Sequence, residues 1–410
     1  MLNKKVISNI MSLLILQGAN YILPLITLPY LVITLGIEKF GILAFALAII
    51  RYFTILIDYG FNLSATREIS IHIKDKELIS KIFTSVIVIK TILLIISFII
   101  LWLSIQWFDK LNQYQDVYYL TFLMLIGNVL FPVWYFQGIE KMKYITIINI
   151  LSKTIFTIFI FVFIQTEDDY VYVPLINSIG IILGGLVAFI IAIKNIKFTV
   201  PSCHYLQKTL YNSTSLFISN VSITLFTSSN VFILGIFTSD STVGLYSSIE
   251  RLMMAVKNLY VPLYQGIFPW LAKKNSEDTR LFIKKILPYI TLLSLSSTIL
   301  IAIFAEKILT LIYHNDIISS YAYILQIFSL ISVLSAVNML YNYLYLNAIK
   351  AYSERMKIFI IAGFFNLVLG LALVYFYNIL GITLTVVMTE FLLLYLGFNI
   401  FEKLNFKARI

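Results

Sequence analysis

The sequence predicts an all-α integral membrane protein, with about twelve transmembrane helices in two six-helix pseudo-repeat bundles around a central cavity and both termini cytoplasmic. Three observations predict it. The 410 residues are 60% hydrophobic and 12% charged, with a mean hydropathy of +0.93, whereas a soluble domain carries roughly 25% charged residues. The apolar residues come in runs long enough to cross a bilayer. The basic residues gather on alternate turns between those runs.

A helix rising about 1.5 Å per residue needs about 20 apolar residues to cross a hydrocarbon core of about 30 Å. On that rule the spans fall near 7–35, 40–60, 82–107, 117–136, 144–164, 171–193, 209–237, 243–270, 286–304, 319–345, 358–377 and 381–401. Span 1 follows Lys4 and Lys5. Its apolar run from Val6 to Leu35 is too long for a signal-peptide core and has no A-x-A site, so an uncleaved span is expected. Pro24 and Pro29 remove backbone donors and should bend it. The turn LGIEKFG leads into span 2, which closes on Asp58-Tyr59-Gly60, and span 3 rises from the basic segment KDKELISK. Span 4 contains Pro132, span 5 follows YFQGIEKMKY and span 6 follows TEDDY. Gly180 and Gly184 in span 6 are spaced for a close helix contact. Span 7, around STSLFISNVSITLFTSSN, is rich in hydroxyls and amides, and span 8 carries Pro262 and Pro269. Span 9 follows the basic loop LAKKNSEDTRLFIKK, the longest outer loop (305–318) precedes span 10, and YFYNILGI joins spans 11 and 12. The halves are expected to divide into lobes 1–200 and 201–410.

Twenty-two of the 30 lysines and arginines fall on one side of this layout, three on the other and five inside spans. Basic loops stay in the cytoplasm, which places both termini there. The net charge of +10 is therefore a topological signature, and nucleic acid is excluded as a partner. One cysteine, Cys203, allows no internal disulfide. His72, His204 and His314 lack partners at metal-ligand spacing, so neither metal nor cofactor is expected. No G-x-x-x-x-G-K-[ST] loop is present. The short outer loops leave little room for a glycan polymerase, ligase or glycosyltransferase, and no enzymatic activity is expected.

Ionisable groups inside spans usually face the bundle interior and mark a pathway. Arg51 lies about 16 Å along its helix from the outer end, close to the midplane, and Asp58 is two turns deeper on nearly the same face. Span 8 holds Glu250, Arg251 and Lys257, of which Glu250 and Lys257 share a face and could neutralise each other. Lys153 and Glu390 are also near mid-depth, and Lys90 can either snorkel or serve a cavity. Five bases against three acids make the interior net positive, a field that favours anions. Asn20 in span 1, with Ser219 and Asn230 in span 7, adds uncharged polarity suited to water or sugar.

An internal repeat is visible at about half the length. LGIEKFGILAFALAIIRYF compares with FTSDSTVGLYSSIERLMMAV, and YFQGIEKMKY compares with YLNAIKAYSERM. The two copies would be parallel repeats, since each would enter from the same side.

LGIEKFG (35–41), RYFTILIDYGFNLSATREIS (51–70) and FPVWYFQGIEKMKYI (131–145) resemble the polysaccharide flippases of O-antigen synthesis, the Wzx type within the multidrug/oligosaccharidyl-lipid/polysaccharide exporter superfamily; VGLYSSIERL (243–252) is similar to their second half. The resemblance implies twelve helices around a cavity that carries undecaprenyl-pyrophosphate-linked oligosaccharide from the cytoplasmic to the periplasmic leaflet. It implies that Arg51 and Arg251 meet the pyrophosphate, and that Asp58, Arg67, Glu68, Gln137 and Glu140 sit at motif positions suited to gating. Glu250 and Glu390 join them as ion-coupling candidates on charge and depth. The implied partners are that substrate, membrane lipids, and the O-antigen polymerase and chain-length regulator, in the inner membrane. Two other readings stay open at this point: a flippase for a capsule, teichuronic acid or peptidoglycan precursor, and a cation-coupled small-molecule exporter on the same fold.

Overall fold

A computed structural model describes the backbone of residues 4–407 apart from Asn195, and side chains from 23 to 403 apart from Asn195, Phe226, Thr227 and Pro269. The described residues are helical or irregular, with no strand among them. They form two compact units, Met1–Val221 and Ser222–Ile410.

The first unit opens with α1 (Lys4–Asp58), whose helical course is broken at Gly36 (φ 73°, ψ 167°), between the first two expected spans. Tyr59 (φ 42°) and Gly60 (φ 80°) then turn the chain into α2 (Phe61–Ile71). Position 60 needs glycine twice over: its φ is left-handed, and an added Cβ would lie 2.8 Å from the Leu216 Cβ. Next come α3 (Lys76–Trp107), α4 (Asp109–Asn112), α5 (Gln115–Leu130), α6 (Val133–Gly138), α7 (Met142–Phe163) and α8 (Tyr172–Ile193). Asp75 caps α3 by accepting from the Glu77 and Leu78 N–H groups. The helix α9 (Cys203–Thr227) follows. Packing is most extensive between α5 and α8. Small residues permit it: a Cβ on Gly127 would meet the Ile181 backbone at 2.7 Å, and one on Gly185 would meet the Gly127 carbonyl oxygen at 2.5 Å. Of the two glycines singled out in span 6, Gly184 abuts Ser152, whereas a Cβ on Gly180 would have ordinary room, 3.5 Å from the Ser152 carbonyl oxygen. The expected close contact is therefore carried by Gly184 and Gly185 against Ser152 and Gly127.

The second unit contains α10 (Ser229–Phe237), α11 (Asp240–Asn258), α12 (Tyr260–Leu271), α13 (Ser276–Ile303), α14 (Ala305–Tyr313), α15 (Asp316–Ser320) and α16 (Ala322–Asn338). A π-helical turn, Met339–Tyr345, leads through α17 (Leu346–Ala348) to α18 (Tyr352–Lys407). The break between α11 and α12 falls just before Pro262, whose ring crowds the Asn258 carbonyl and which lacks a backbone donor. Within α18 the break is at Asn378 (φ 47°, ψ −123°), between the last two expected spans. Tyrosines tie the core: the Tyr264 hydroxyl donates to the Ala336 carbonyl at 2.7 Å and Tyr313 to the Ser248 carbonyl at 2.8 Å.

Among the described residues eight helices are long and apolar enough to cross a membrane, or nine if Cys203–Leu225 and Ser229–Phe237 count as one span. Twelve runs were expected. The difference has two sources. The helices through 23–71 and 352–403 each cover two expected spans across the breaks at Gly36 and Asn378. Span 8 is divided at Leu259 and charged with Glu250, Arg251 and Lys257.

The internal repeat has a backbone counterpart. After Tyr135, N–H groups of Ile139, Glu140 and Lys141 donate to Tyr135, Gln137 and Phe136 carbonyls at 3.0, 3.0 and 2.8 Å. After Tyr345, those of Ile349, Lys350 and Ala351 donate to Tyr345, Asn347 and Leu346 at 3.1, 3.1 and 2.8 Å. Both turns place a non-glycine residue at positive φ, Glu140 at 57° and Lys350 at 61°.

Candidate functional site

In the first unit α1 sets out Arg51 and Asp58 two turns apart. Arg51 is exposed, and its guanidinium makes no hydrogen bond or ion pair among the described residues. Asp58, at the helix end, accepts from the Lys90 ammonium of α3 at 2.8 Å. The Lys90 side chain is 2% exposed and that of Asp58 28%. Lys90 thus neither snorkels nor offers its charge to a void; it turns inward, where an unpaired ammonium would cost several kcal/mol. Its second contact is the Asn128 carbonyl, at 3.4 Å.

Asn128 also lines a cavity of about 120 Å³ between α5, α7 and α8, together with Asn149, Ser152, Lys153 and Asn177. Lys153, read from the sequence as a mid-depth cation, is therefore at a largely apolar void inside the first unit, with these polar groups in its wall. The three asparagines escaped the sequence reading because an isolated amide in an apolar run carries no directional signal.

Two of the motif segments meet. The α2 and α6 helices pack together, and a Cβ on Gly138 would lie 2.6 Å from Ile69. The Thr66 hydroxyl donates to the Trp134 carbonyl at 3.1 Å and lies 3.4 Å from the Gln137 amide oxygen; the Ser70 hydroxyl donates to the Gly138 carbonyl at 3.2 Å. Gln137 is therefore at a helix contact, while Arg67 and Glu140 are exposed beside it. Glu68 lies 3.9 Å from the His72 imidazole. The DYG turn is held from α9: Tyr59 stacks on Phe217 with centroids 4.5 Å apart, and the Ser64 and Ser213 hydroxyls are 2.8 Å apart.

In the second unit Lys257 pairs with Glu390 of α18, whose side chain is 2% exposed against 15% for Lys257. The other Glu390 oxygen accepts from the Asn338 amide at 3.0 Å, and Asn342 in the π turn donates to the Leu393 carbonyl at 2.9 Å. Glu250 instead accepts from the Tyr246 hydroxyl, 2.9 Å away and one turn back on its own helix. The pairing of Glu250 with Lys257 suggested by their shared face thus gives way to a partner 133 positions along the chain. Arg251 is half-buried beside Glu250.

Ser219 is half-buried on α9. Asn230 is 2% exposed, its side-chain oxygen buried without a donor among the described residues. Next to it Ser229 donates to Asn366, whose amide donates to Thr389 at 3.1 Å. The side chain of Asn20 lies outside the described residues.

The two ion pairs cancel two bases against two acids.

Long apolar helices that hold paired charges and a cation at mid-depth are the build of a multi-pass membrane transporter rather than of an enzyme. The chain belongs to the polysaccharide biosynthesis protein family, whose model matches residues 6–275, and within it to the group of O-antigen transporters. A protein of Escherichia coli (strain K12) named "Putative O-antigen transporter" is 30% identical over 391 residues, covering 93% of each chain. Its namesake from Shigella dysenteriae is 28% identical over 395 residues, covering 94% of this chain and 97% of that one. Among solved structures, the lipid II flippase MurJ in an inward closed conformation matches 96% of this chain and 87% of its own with a TM-score of 0.70 at 14% identity. An inward-facing multidrug transporter of the MATE family matches 93% of this chain and 94% of its own, with a TM-score of 0.66 at 14% identity. At such identities the likeness is one of fold.

Proposed function

We propose that this protein translocates undecaprenyl-pyrophosphate-linked O-antigen repeat units from the cytoplasmic to the periplasmic leaflet of the bacterial inner membrane by alternating access. On this reading twelve spans form two six-span lobes, 1–200 and 201–410, around a cavity, with both termini cytoplasmic and Arg51 and Arg251 as the principal anion contacts. Sugars and pyrophosphate cannot cross hydrocarbon unaided, because each unpartnered polar group costs several kcal/mol. Guanidinium groups replace the lost hydration, since their planar fork binds phosphate oxygens in pairs.

The observation that carries the reading is Arg51: a mid-span arginine, exposed, with no partner among the described residues. Such a group facing hydrocarbon would be costly; an anionic headgroup beside it removes that cost. The full-length likeness to O-antigen transporters supports the same substrate class. Lys153 and its asparagines are suited to sugar hydroxyls, and the residues around the α2 and α6 contact, with Glu390, to gating or ion coupling. The O-antigen polymerase and chain-length regulator would act on the delivered unit.

The test is complementation of a flippase-deficient host that makes a defined O-antigen. Surface glycan restored by the wild type and lost with Arg51→Ala, at equal protein level, is the expected result. Full restoration by Arg51→Ala removes Arg51 from the mechanism, and restoration of a capsule or teichuronic acid instead would reassign the glycan.

A further inference from the structure

A second basic site lies apart from the in-span charges. A cavity of about 240 Å³ opens where α6 and α8 end and α7 begins, lined by Lys141 and Lys194 with Tyr135, Tyr144 and Ile191. No carboxylate lines it among the described residues. Both lysines are exposed, and neither ammonium has a hydrogen-bond or ion-pair partner among the described residues. The left-handed turn at Glu140 brings Lys141 into place, with its N–H on the Phe136 carbonyl at 2.8 Å. Because α7 begins at Met142, the positive end of its dipole lies at the same end. Tyr135 is only 3% exposed, so one wall is a tyrosine held rigidly by the core.

The surroundings decide what kind of anion belongs there. From Tyr144, successive turns of α7 expose Ile147, Leu151, Ile155 and Ile158, one face at helical spacing; from Lys194 back along α8, Ile190 and Val187 are exposed. The two helices pack against each other. A doubly cationic pocket is thus continuous with an apolar track long enough for a hydrocarbon chain. We propose that this pocket holds the phosphate headgroup of an anionic membrane lipid, with Lys141 and Lys194 on the phosphate and the chain along α7 and α8. The proposal does not rest on the transported substrate, since a transporter of any cargo on this fold could retain such a lipid.

The test is native mass spectrometry of the full chain in detergent, titrated with phosphatidylglycerol. Wild type should retain one phosphatidylglycerol more than Lys141→Ala/Lys194→Ala, and the dissociation constant for that molecule should rise about fivefold per lysine removed. Lys143→Ala, on the same helix but outside the pocket, should retain it, as should Lys141→Arg/Lys194→Arg. Should the double variant fail to fold, Lys194→Glu alone, at an exposed position, should lose the lipid. Equal retention by wild type and the alanine or glutamate variants overturns the proposal. Displacement of the lipid by millimolar inorganic phosphate makes the pocket a free-phosphate site and overturns the lipid assignment. Equal retention of zwitterionic phosphatidylcholine shows an apolar groove alone and overturns the role of the lysines.

Discussion

Replacing Glu390 by glutamine isolates the charge in the second unit, because glutamine keeps the shape and can still accept from Asn338. The substitution leaves the Lys257 ammonium, 15% exposed, without its counterion. Breaking a buried pair on one side costs about 3–5 kcal/mol. The residual exposure of Lys257 argues for the lower end, about 3 kcal/mol. For a unit the size of Ser222–Ile410, where each kcal/mol moves Tm by about 2–4 °C, the expected fall is roughly 6–12 °C. Thermal unfolding of the purified protein in detergent, followed by intrinsic fluorescence, reads it directly. Lys257→Met should cost at least as much, since it strands a carboxylate that is 2% exposed. The double variant Lys257→Met/Glu390→Gln should recover all but about 1 kcal/mol, because two neutral side chains leave nothing uncompensated. An unchanged Tm in Glu390→Gln, or losses in the double variant that simply add, would refute the pairing.

Three further outcomes follow from local geometry and charge. Gly60→Ala should lower Tm of the first unit by the equivalent of about 2–4 kcal/mol, combining left-handed strain with the 2.8 Å approach to Leu216; an unaffected Tm contradicts the close seating of α9. Asn378→Gly should raise Tm, relieving about 1 kcal/mol of strain at φ 47° and ψ −123°, and a fall would show that the asparagine side chain stabilises the break. Arg51→Lys should keep part of the transport that Arg51→Ala loses, since a point charge replaces a bidentate fork; equal transport by both variants and wild type argues against phosphate recognition there.

Much of the fold was legible because hydropathy and turn chemistry are local. The breaks at Gly36 and Asn378 and the DYG turn fall where the apolar runs pause. The repeat around YFQGIEK and YLNAIKA reappears as the same three backbone hydrogen bonds. The charged residues could be picked out, but not their partners. Lys90 finds Asp58 from another helix, and Lys257 finds Glu390 on α18 rather than Glu250 on its own face. Pairing is decided by helix packing, which periodicity does not encode. The amides Asn338, Asn342 and Asn366 were missed for the same reason: each has meaning only against a group on a neighbouring helix. Small residues misled in detail, since Gly127, in another span, is the partner that makes Gly185 close.

The most direct test of a phosphate-recognising glycan transporter is a leaflet assay in liposomes carrying purified protein and an undecaprenyl-pyrophosphate-linked oligosaccharide. A membrane-impermeant glycosidase added outside would report how much glycan reaches the outer leaflet. Wild-type protein should expose glycan initially confined to the inner leaflet, and Arg51→Ala should slow this at least about tenfold, the loss of one charge-assisted contact. Glycan that stays inside while the same liposomes move an organic cation would contradict the account.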